Sequence, residues 1–196
     1  MRENLARIRG EIGSEPTIVA ATKYVDVEDM ATLAEAGVEV VGENRLQDLL
    51  RKHARYGDAF RWHFIGHLQS RKARDVSSVC ELLHSLDSRS AAQRLAIPAL
   101  VEVNLSGEET KGGVAPGDLG GFLADVRGVG VEVRGLMTMP PLADDPEESR
   151  PYFRRLRELA GEHGLAELSM GTSQDYRVAA EEGATLVRIG SILYGR

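Results

Sequence analysis

Lys23 is the first residue whose type and position suggest chemistry, because it directly follows the run Ile18-Val19-Ala20-Ala21-Thr22. Burying a lysine as a cation is costly, so this position has two interpretations. The side chain reaches solvent or pairs with an acid such as Glu43. Alternatively, Lys23 is an imine-forming amine, whose neutral form is favoured by a desolvated site. The residue by itself favours the first interpretation.

Two turns near the C-terminus suggest a phosphate site. The first follows Leu168-Ser169-Met170, where Gly171 permits close backbone approach and Ser173 is expected at a helix N-cap. Its hydroxyl and the amides of the first helical turn are suited to an anion. The second turn, Gly190-Ser191, ends the last apolar run. Each turn is also explained by capping or tight turning alone, but phosphates often bind at these two loops of a barrel.

Arg188 lies inside that last apolar run, between Val187 and Ile189, and a buried guanidinium needs an acceptor. One interpretation is a carboxylate partner. The other is the ring nitrogen of a cofactor. Because arginine does not give up its proton at neutral pH, it would leave a pyridine nitrogen largely unprotonated.

Eight short β-branched or apolar runs alternate with amphipathic helical patterns along the chain, and this order predicts a parallel sheet. The predicted strands are Thr17–Lys23, Val38–Gly42, Trp62–Gly66, Leu82–Asp87, Ala99–Leu105, Val131–Met137, Leu165–Met170 and Thr185–Gly190. Eight strands in one domain favour an α/β fold of the closed (β/α)8 TIM type. A doubly wound open sheet is the alternative, but no Gly-x-Gly-x-x-Gly follows the first strand.

The segments around these strands complete the predicted architecture. Residues 2–12 are expected to form a helix that precedes the first strand. The segment Ser88–Pro98 has room for only a short helix. We therefore predict that residues 1–196 form a single barrel domain, with functional residues at the carboxyl ends of the strands.

Composition restricts the class of protein. The 196 residues are 42% hydrophobic and 28% charged, an ordinary globular balance, and no run of roughly 20 apolar residues predicts a membrane helix. Residues 1–13 carry charges throughout, unlike a signal peptide, and the single Cys80 indicates a reducing compartment. A net charge of −6 argues against nucleic acid as a partner. These features predict a cytoplasmic protein, with Arg71, Lys72 and Arg74 on a solvated helix face.

Several motifs occur together in one order along the chain. They are Ala20-Ala21-Thr22-Lys23, Gly42-Glu43-Asn44, Trp62-His63-Phe64-Ile65-Gly66-His67-Leu68-Gln69, His84-Ser85-Leu86-Asp87, Val103-Asn104, Gly135-Leu136-Met137-Thr138-Met139, Ser169-Met170-Gly171 and Val187-Arg188-Ile189-Gly190-Ser191. With these motifs the chain resembles the YggS/PROSC pyridoxal-phosphate homeostasis proteins, from about residue 18 to residue 195.

The resemblance implies a barrel like the N-terminal domain of alanine racemase, with pyridoxal 5′-phosphate as cofactor. It implies that Lys23 forms a Schiff base and that Arg188 lies by the pyridine nitrogen. Ser173, Gly190 and Ser191 match the phosphate-binding positions, and Asn44 matches the ring side of the pocket. Thr172 departs from a common methionine, and the segment after Asp87 is shorter than in the family.

Whether the chain is an enzyme depends on a second base, because racemisation needs one on each face of the substrate α-carbon. In the related racemases that base comes from a second domain and a partner subunit. This sequence ends at Arg196 directly after the eighth strand, and we expect that domain to be absent. Tyr24, His67 and Tyr194 are local candidates, and nothing in the sequence positions one of them opposite Lys23.

The predicted function is therefore a monomeric binder that buffers or delivers pyridoxal phosphate without turnover, with pyridoxal-phosphate-dependent apo-enzymes as candidate partners. A small pyridoxal-phosphate-dependent amino-acid racemase or lyase is the alternative. A cofactor-free aldolase with a lysine imine is a third interpretation. No metal site is predicted, because His63 and His67 are four residues apart at a strand that ends at Gly66, not on a helix, and they lack the His-Glu-x-x-His pattern.

Overall fold

The computed structural model describes residues 1–108 and 110–195, in which eight parallel strands close into a barrel in chain order. The strands are β1 (Thr17–Ala21), β2 (Val40–Glu43), β3 (Arg61–Phe64), β4 (Leu82–Leu86), β5 (Ala99–Glu102), β6 (Val133–Met137), β7 (Glu167–Thr172) and β8 (Leu186–Ile189). The helices are α1 (Arg2–Ile12), α2 (Met30–Ala36), α3 (Leu46–Tyr56), α4 (Ala73–Ser77), α5 (Arg89–Ala92), α6 (Leu119–Gly128), α7 (Arg150–Glu162), α8 (Tyr176–Glu181) and α9 (Ser191–Tyr194). The predicted closed barrel is confirmed, and the open sheet is wrong.

The predicted strands all exist, but most are shorter than their apolar runs. The fifth was expected to reach Leu105, yet β5 ends at Glu102, and Val103 makes only an isolated bridge with Val114 in the following loop. Val103 is nevertheless buried. Apolar sequence therefore extends beyond the hydrogen-bonded strand, because the loops at the barrel mouth also bury side chains.

Side chains alternate along each strand between two separate hydrophobic layers. Val19, Val40, Leu82, Leu100, Met137 and Leu186 form the inner layer, which fills the barrel. The outward residues join the apolar faces of the helices in a larger second cluster. Leu100 and Val101 belong to different layers, as their adjacency in an apolar strand predicts. Burial on both faces explains why these strands read as continuous apolar runs.

The helices match the expected amphipathic segments. Helix α1 begins at Arg2 and ends at Ile12, as predicted, and buries Leu5 and Ile8. The segment after β4 holds only the four-residue α5, as its length requires. Of the three basic residues predicted on a solvated face, Arg71 and Arg74 are exposed and Lys72 is half-buried. In residues 1–108 and 110–195, no helix has the length and apolar character needed to cross a bilayer.

Candidate functional site at the barrel mouth

A cavity of about 1010 Å³ opens at the carboxyl ends of the strands. This is where (β/α)8 barrels carry their functional residues, and the volume is that of a small-molecule site. The residues predicted for the cofactor site all line it: Lys23, Asn44, Ser173, Arg188, Gly190 and Ser191. The structure therefore brings together side chains from four separate regions of the sequence.

Lys23 follows β1 on one side of the cavity and is exposed, with its Nζ 4.7 Å from the centre of the Tyr24 ring. The alternative that Lys23 pairs with Glu43 is wrong. By strand alternation Glu43 points out of the barrel, where Lys52 of α3 pairs with it. Lys23 instead projects from the end of β1 into the cavity that the strands surround.

The buried Glu43–Lys52 cluster fixes the backbone on both sides of this part of the cavity. Lys52 and Glu43 are 1% and 0% exposed, and the Lys52 ammonium also donates to the carbonyl of Thr22 at 2.7 Å. The hydroxyl of Thr22 donates to Glu43 Oε1 at 2.6 Å, and the amide of Asn44 donates to Glu43 Oε2 at 3.2 Å. One closed set of bonds therefore holds the residue before Lys23 and the residue after β2.

Asn44 contributes a polar atom that the protein leaves unused. Its side-chain Oδ1 is buried and has no hydrogen-bond partner within the described residues. Gly66 packs directly against its backbone, since a Cβ added at Gly66 would lie 2.2 Å from the Asn44 carbonyl oxygen. A buried acceptor normally has a partner, so Asn44 is suited to a ligand group in the cavity.

The loops after β7 and β8 are joined by a hydrogen bond, in which the Gly190 amide donates to Ser173 Oγ at 3.0 Å. The expectation that Ser173 is an N-cap is wrong: α8 begins at Tyr176, and Asp175 is its N-cap residue. The Asp175 carboxylate is turned back to accept from the Thr172 amide at 2.7 Å. Ser173 therefore ties the two loops together beside the cavity rather than capping the helix.

Gly190 leaves space at this junction. A Cβ added there would meet nothing closer than Ala21 Cβ at 3.8 Å and Ser173 Oγ at 4.0 Å. The missing side chain therefore leaves part of the cavity open next to a hydroxyl and a short polar turn. This space fits the terminal anion of a small ligand.

Arg188 is buried inside the barrel on β8, and no carboxylate in the described part lies within salt-bridge distance of it. Its guanidinium donates to the Thr138 carbonyl at 2.9 Å, to Ser169 Oγ at 2.8 Å and to Met139 Sδ at 3.0 Å. Burial lowers its pKa to about 10, while the charges of Glu102 and Asp175 act in the opposite direction. Arg188 thus stays a cation at neutral pH, and the interpretation of a direct carboxylate partner is not supported.

Sequence reasoning missed Glu102 as a cavity residue. Burial raises the pKa of its carboxyl, and the nearby charge of Asp87 adds to the effect. An available signal was its position at the end of the apolar run Ala99–Val101. Three residues weighed as local bases, Tyr24, His67 and Tyr194, also line the cavity.

His63 and Cys80 lie away from this cavity. His63 is buried inside the barrel and lines a second cavity of about 500 Å³ that includes residues preceding β1, β4, β5 and β8. Cys80 is buried, and burial raises the pKa of its thiol to about 12, which makes it a poor nucleophile. Within the described ranges, no cluster of three or more His, Cys, Asp or Glu side chains is arranged to hold a metal ion.

Comparison with known proteins gives a consistent result over the full chain. The family model described as "Alanine racemase, N-terminal domain" matches residues 1–196. The "Pyridoxal phosphate homeostasis protein" of Aquifex aeolicus is 43% identical over 195 residues, covering 91% of this chain and 86% of the relative. The protein of the same name from Pseudomonas aeruginosa is 37% identical, over 98% of this chain and 94% of its own length.

Solved structures agree in fold. PipY of Synechococcus elongatus without PLP has a TM-score of 0.92 at 32% identity, with 99% of each chain covered. PipY with PLP bound has a TM-score of 0.89 at the same identity and coverage. The alanine racemase of Clostridium difficile has a TM-score of 0.77 at 18% identity and is matched over 56% of its length, so that likeness concerns the fold.

Proposed function

This chain belongs to the alanine racemase N-terminal domain family and, within it, to the pyridoxal phosphate homeostasis proteins, and on that premise we propose that it holds pyridoxal 5′-phosphate as an imine on Lys23. The proposed role is to buffer or deliver the cofactor within the cell, without catalytic turnover. The observation that carries the proposal is the convergence of Lys23, Asn44, Ser173, Arg188, Gly190 and Ser191 on one cavity.

The residues present fit the cofactor. When bound, pyridoxal phosphate supplies an aldehyde that condenses with an amine to give an imine and water. Lys23 offers the only lysine amine that lines the cavity within the described part. The open space at Gly190, beside the hydroxyl of Ser173, suits the phosphate, and the unpartnered Asn44 oxygen suits a polar group on the ring.

Arg188 bears on how strongly a bound cofactor ring could withdraw electrons. A buried guanidinium does not yield its proton at neutral pH, so it stabilises an unprotonated ring nitrogen. An unprotonated ring is a weaker electron sink than the protonated ring that a carboxylate would maintain. Transfer of the bound aldehyde to another amine would form a new imine on that amine and free the Lys23 amine, and it would require no base on the opposite face.

The experiment is absorption spectroscopy of purified protein with added pyridoxal phosphate, after desalting. We expect an imine band in the wild type that is lost in Lys23→Ala. Borohydride reduction followed by peptide mass spectrometry assigns the modified residue, because the chain has only four lysines. Lys72→Ala is the matched control, since Lys72 does not line the cavity and should leave the band unchanged. An equal covalent adduct in Lys23→Ala refutes the proposal.

A small racemase or lyase remains the competing activity, and it is favoured by one observation: Tyr24, His67 and Tyr194 line the same cavity as Lys23. The Tyr194 hydroxyl donates to the Ala21 carbonyl at 3.0 Å, which holds it near the end of β1. Chiral chromatography of single amino acids incubated with the loaded protein decides between the two roles. Stoichiometric exchange without multiple turnovers supports the carrier, and repeated turnover supports the enzyme.

The proposal extends to a monomeric, cytoplasmic protein whose partners include pyridoxal-phosphate-dependent apo-enzymes. Tyr24 and Met139 line the barrel-mouth cavity, and Leu142 lies with Met139 in a small adjoining cavity. The other large apolar side chains exposed in the described part, Met1, Leu50 and Val129, are scattered. Scattered exposure of this kind is normal for a monomer. Light scattering during gel filtration tests the oligomeric state, and transfer of cofactor to a separated apo-enzyme tests delivery.

A further inference from the structure

Four polar side chains form a continuous row through the interior of the barrel. They belong to β8, β7, β4 and β3, and all are buried: Arg188, Ser169, His84 and His63. Arg188 donates to Ser169 Oγ at 2.8 Å, Ser169 Oγ lies 2.8 Å from His84 Nδ1, and His84 Nε2 lies 2.9 Å from His63 Nδ1. The row begins at the cavity that contains Lys23 and ends at the cavity at the opposite opening of the barrel.

We propose that His84 and His63, acting through Ser169, form a one-way hydrogen-bond relay that positions Arg188 and ends in an N–H group at the amino-terminal opening of the barrel. The relay is a property of the chain itself. Only its consequence for a bound cofactor rests on the proposed function.

Arg188 sets the direction, because a guanidinium donates hydrogen bonds and accepts none. Ser169 Oγ therefore accepts from Arg188, and its own hydrogen needs an acceptor. The acceptor available to this hydroxyl within the described residues is His84 Nδ1. The reverse order would leave the Ser169 hydrogen without a partner in a buried site, which is costly.

The histidines transmit that direction because a neutral imidazole has one donor and one acceptor. Burial lowers the pKa of His63 to about 3, with Arg61 and Arg134 adding to the effect, and burial also lowers the pKa of His84 well below its ordinary value. His84 therefore carries its hydrogen on Nε2 and donates it to His63 Nδ1. His63 in turn carries its hydrogen on Nε2.

The lower end of the row agrees with this assignment. His63 Nε2 is buried and has no hydrogen-bond partner in the described part of the chain. It lies 3.8 Å from Glu81 Oε1, which already accepts from Arg61 at 2.7 Å. An N–H at this position faces a carboxylate, whereas the reverse order would point a lone pair at the same charge. Glu15, Arg134 and Glu167 are the other charged groups around this cavity.

The relay gives Arg188 a specific acceptor. Within the described residues the guanidinium has no ion-pair partner and relies on neutral oxygens and one sulfur. A hydroxyl that donates to His84 becomes a better acceptor, because hydrogen bonds in a chain polarise one another. His84 is thus a positioning residue for Arg188, and it does not itself line the cavity that contains Lys23.

The first test is nitrogen-15 NMR of the imidazole rings in the full chain without added cofactor. There are five histidines, so His63→Gln and His84→Gln identify the two sets of signals. We expect both rings to be neutral between about pH 6 and about pH 8, with hydrogen on Nε2 and a bare Nδ1. A hydrogen on Nδ1 of His84, or a charged His63 in this range, overturns the proposal.

The second test cuts the relay and then restores it. His84→Leu removes both ring nitrogens, whereas the amide of His84→Gln both accepts and donates. We expect the Arg188 side-chain NMR signals of the apo protein to shift in His84→Leu and to return towards wild type in His84→Gln. Pyridoxal phosphate affinity should fall about tenfold in His84→Leu, the equivalent of ~1.4 kcal/mol. His163→Leu is the control for loss of a histidine elsewhere.

The outcomes separate this inference from the proposed function. The relay is wrong if the Arg188 signals do not respond to His84→Leu, even when Lys23 forms the expected imine. The proposed function is wrong if no imine forms on Lys23, even when the tautomers and the Arg188 response are as expected. If His84→Leu does not fold, the wild-type tautomers still decide the relay.

Discussion

Two buried polar clusters support residues of the cavity, and they differ in the number of charges and in whether every polar atom has a partner. The Glu43–Lys52 cluster lies outside the barrel wall, contains two charges and satisfies them with Thr22 and Asn44. The histidine relay lies inside the barrel, carries its charge only at Arg188 and ends in an atom with no partner in the described residues. A buried charged pair is stable only when every charged atom has a hydrogen-bond partner. A row of neutral groups can end in one unpartnered atom next to an opening, because leaving a neutral polar group unpaired costs less free energy.

Breaking the charged cluster should therefore lower the free energy of unfolding more than breaking the neutral row.

The largest effect is expected from Lys52→Met, which leaves the Glu43 carboxylate buried without its cation. Breaking a buried pair in this way costs about 3–5 kcal/mol. Urea unfolding measures the change. Glu43→Gln with Lys52→Met should recover most of the loss, because both charges are gone. Arg51→Met, which breaks an exposed pair with Asp48, should change stability by less than ~1 kcal/mol. A similar loss in Lys52→Met and Arg51→Met would contradict the comparison.

A smaller loss is expected from His84→Leu, because the groups it leaves unpaired are neutral. The Ser169 hydroxyl loses its acceptor and His63 loses its donor, at a cost of about 1–3 kcal/mol. The same unfolding assay applies, with His84→Gln as the variant that retains an acceptor and a donor. Equal stability of His84→Leu and the wild type would show that the row contributes nothing to the fold.

The relay also predicts acid sensitivity. An unfolded histidine has a pKa of about 6.5, whereas burial lowers that of His63 to about 3. The unfolded state therefore binds more protons in this window, and stability falls as the pH decreases from about 6.5 towards about 3. The slope from one such residue is up to ~1.4 kcal/mol per pH unit. Unfolding of His63→Gln over the same range should show a shallower slope, whereas the half-buried control His163→Gln, outside the relay, should follow the wild type. Parallel curves for the wild type and His63→Gln would contradict this.

The smallest effect on the fold is expected from Gly190→Ala, which fills the cavity without touching either cluster. The added Cβ meets nothing closer than 3.8 Å, so stability should change by about 1 kcal/mol or less. Cofactor binding should nevertheless weaken at least about tenfold, measured by fluorescence titration. Gly171→Ala is the contrasting variant, because Gly171 has a φ of +88° and a Cβ there would lie 2.5 Å from Ala179 Cβ. It should destabilise the fold, and unchanged binding in Gly190→Ala would refute the phosphate assignment.

The sequence predicted the site residues best where they directly follow a strand. Lys23 follows β1 and Gly190 follows β8, so knowing the strand ends was enough to bring both to the barrel mouth. Ser173 was assigned to the correct side of the cavity for a wrong reason. Its hydroxyl bonds to the Gly190 amide across two loops, and that partner is 17 residues away in sequence.

Lys52 and His84 were not recognised, for related reasons. Lys52 was one polar residue in the amphipathic pattern of α3, and long charged side chains are usually exposed. Its burial follows from the Glu43 carboxylate that β2 presents to that helix. His84 was noted only as part of the motif His84-Ser85-Leu86-Asp87. No residue near it in the sequence indicated that Ser169 and His63 would flank it.

The alternation of apolar runs with helical patterns by itself determined a parallel barrel, the inward and outward faces of its strands, and the end that carries function. Local periodicity encodes the elements and their faces, because each face depends on residues within one turn or one strand, and the order of the elements along the chain predicts the barrel. Only the tertiary structure decided which inward side chains meet across the barrel and which charges become buried. Those contacts depend on the closure and register of distant strands, which join Arg188 to His63 over 125 residues of sequence.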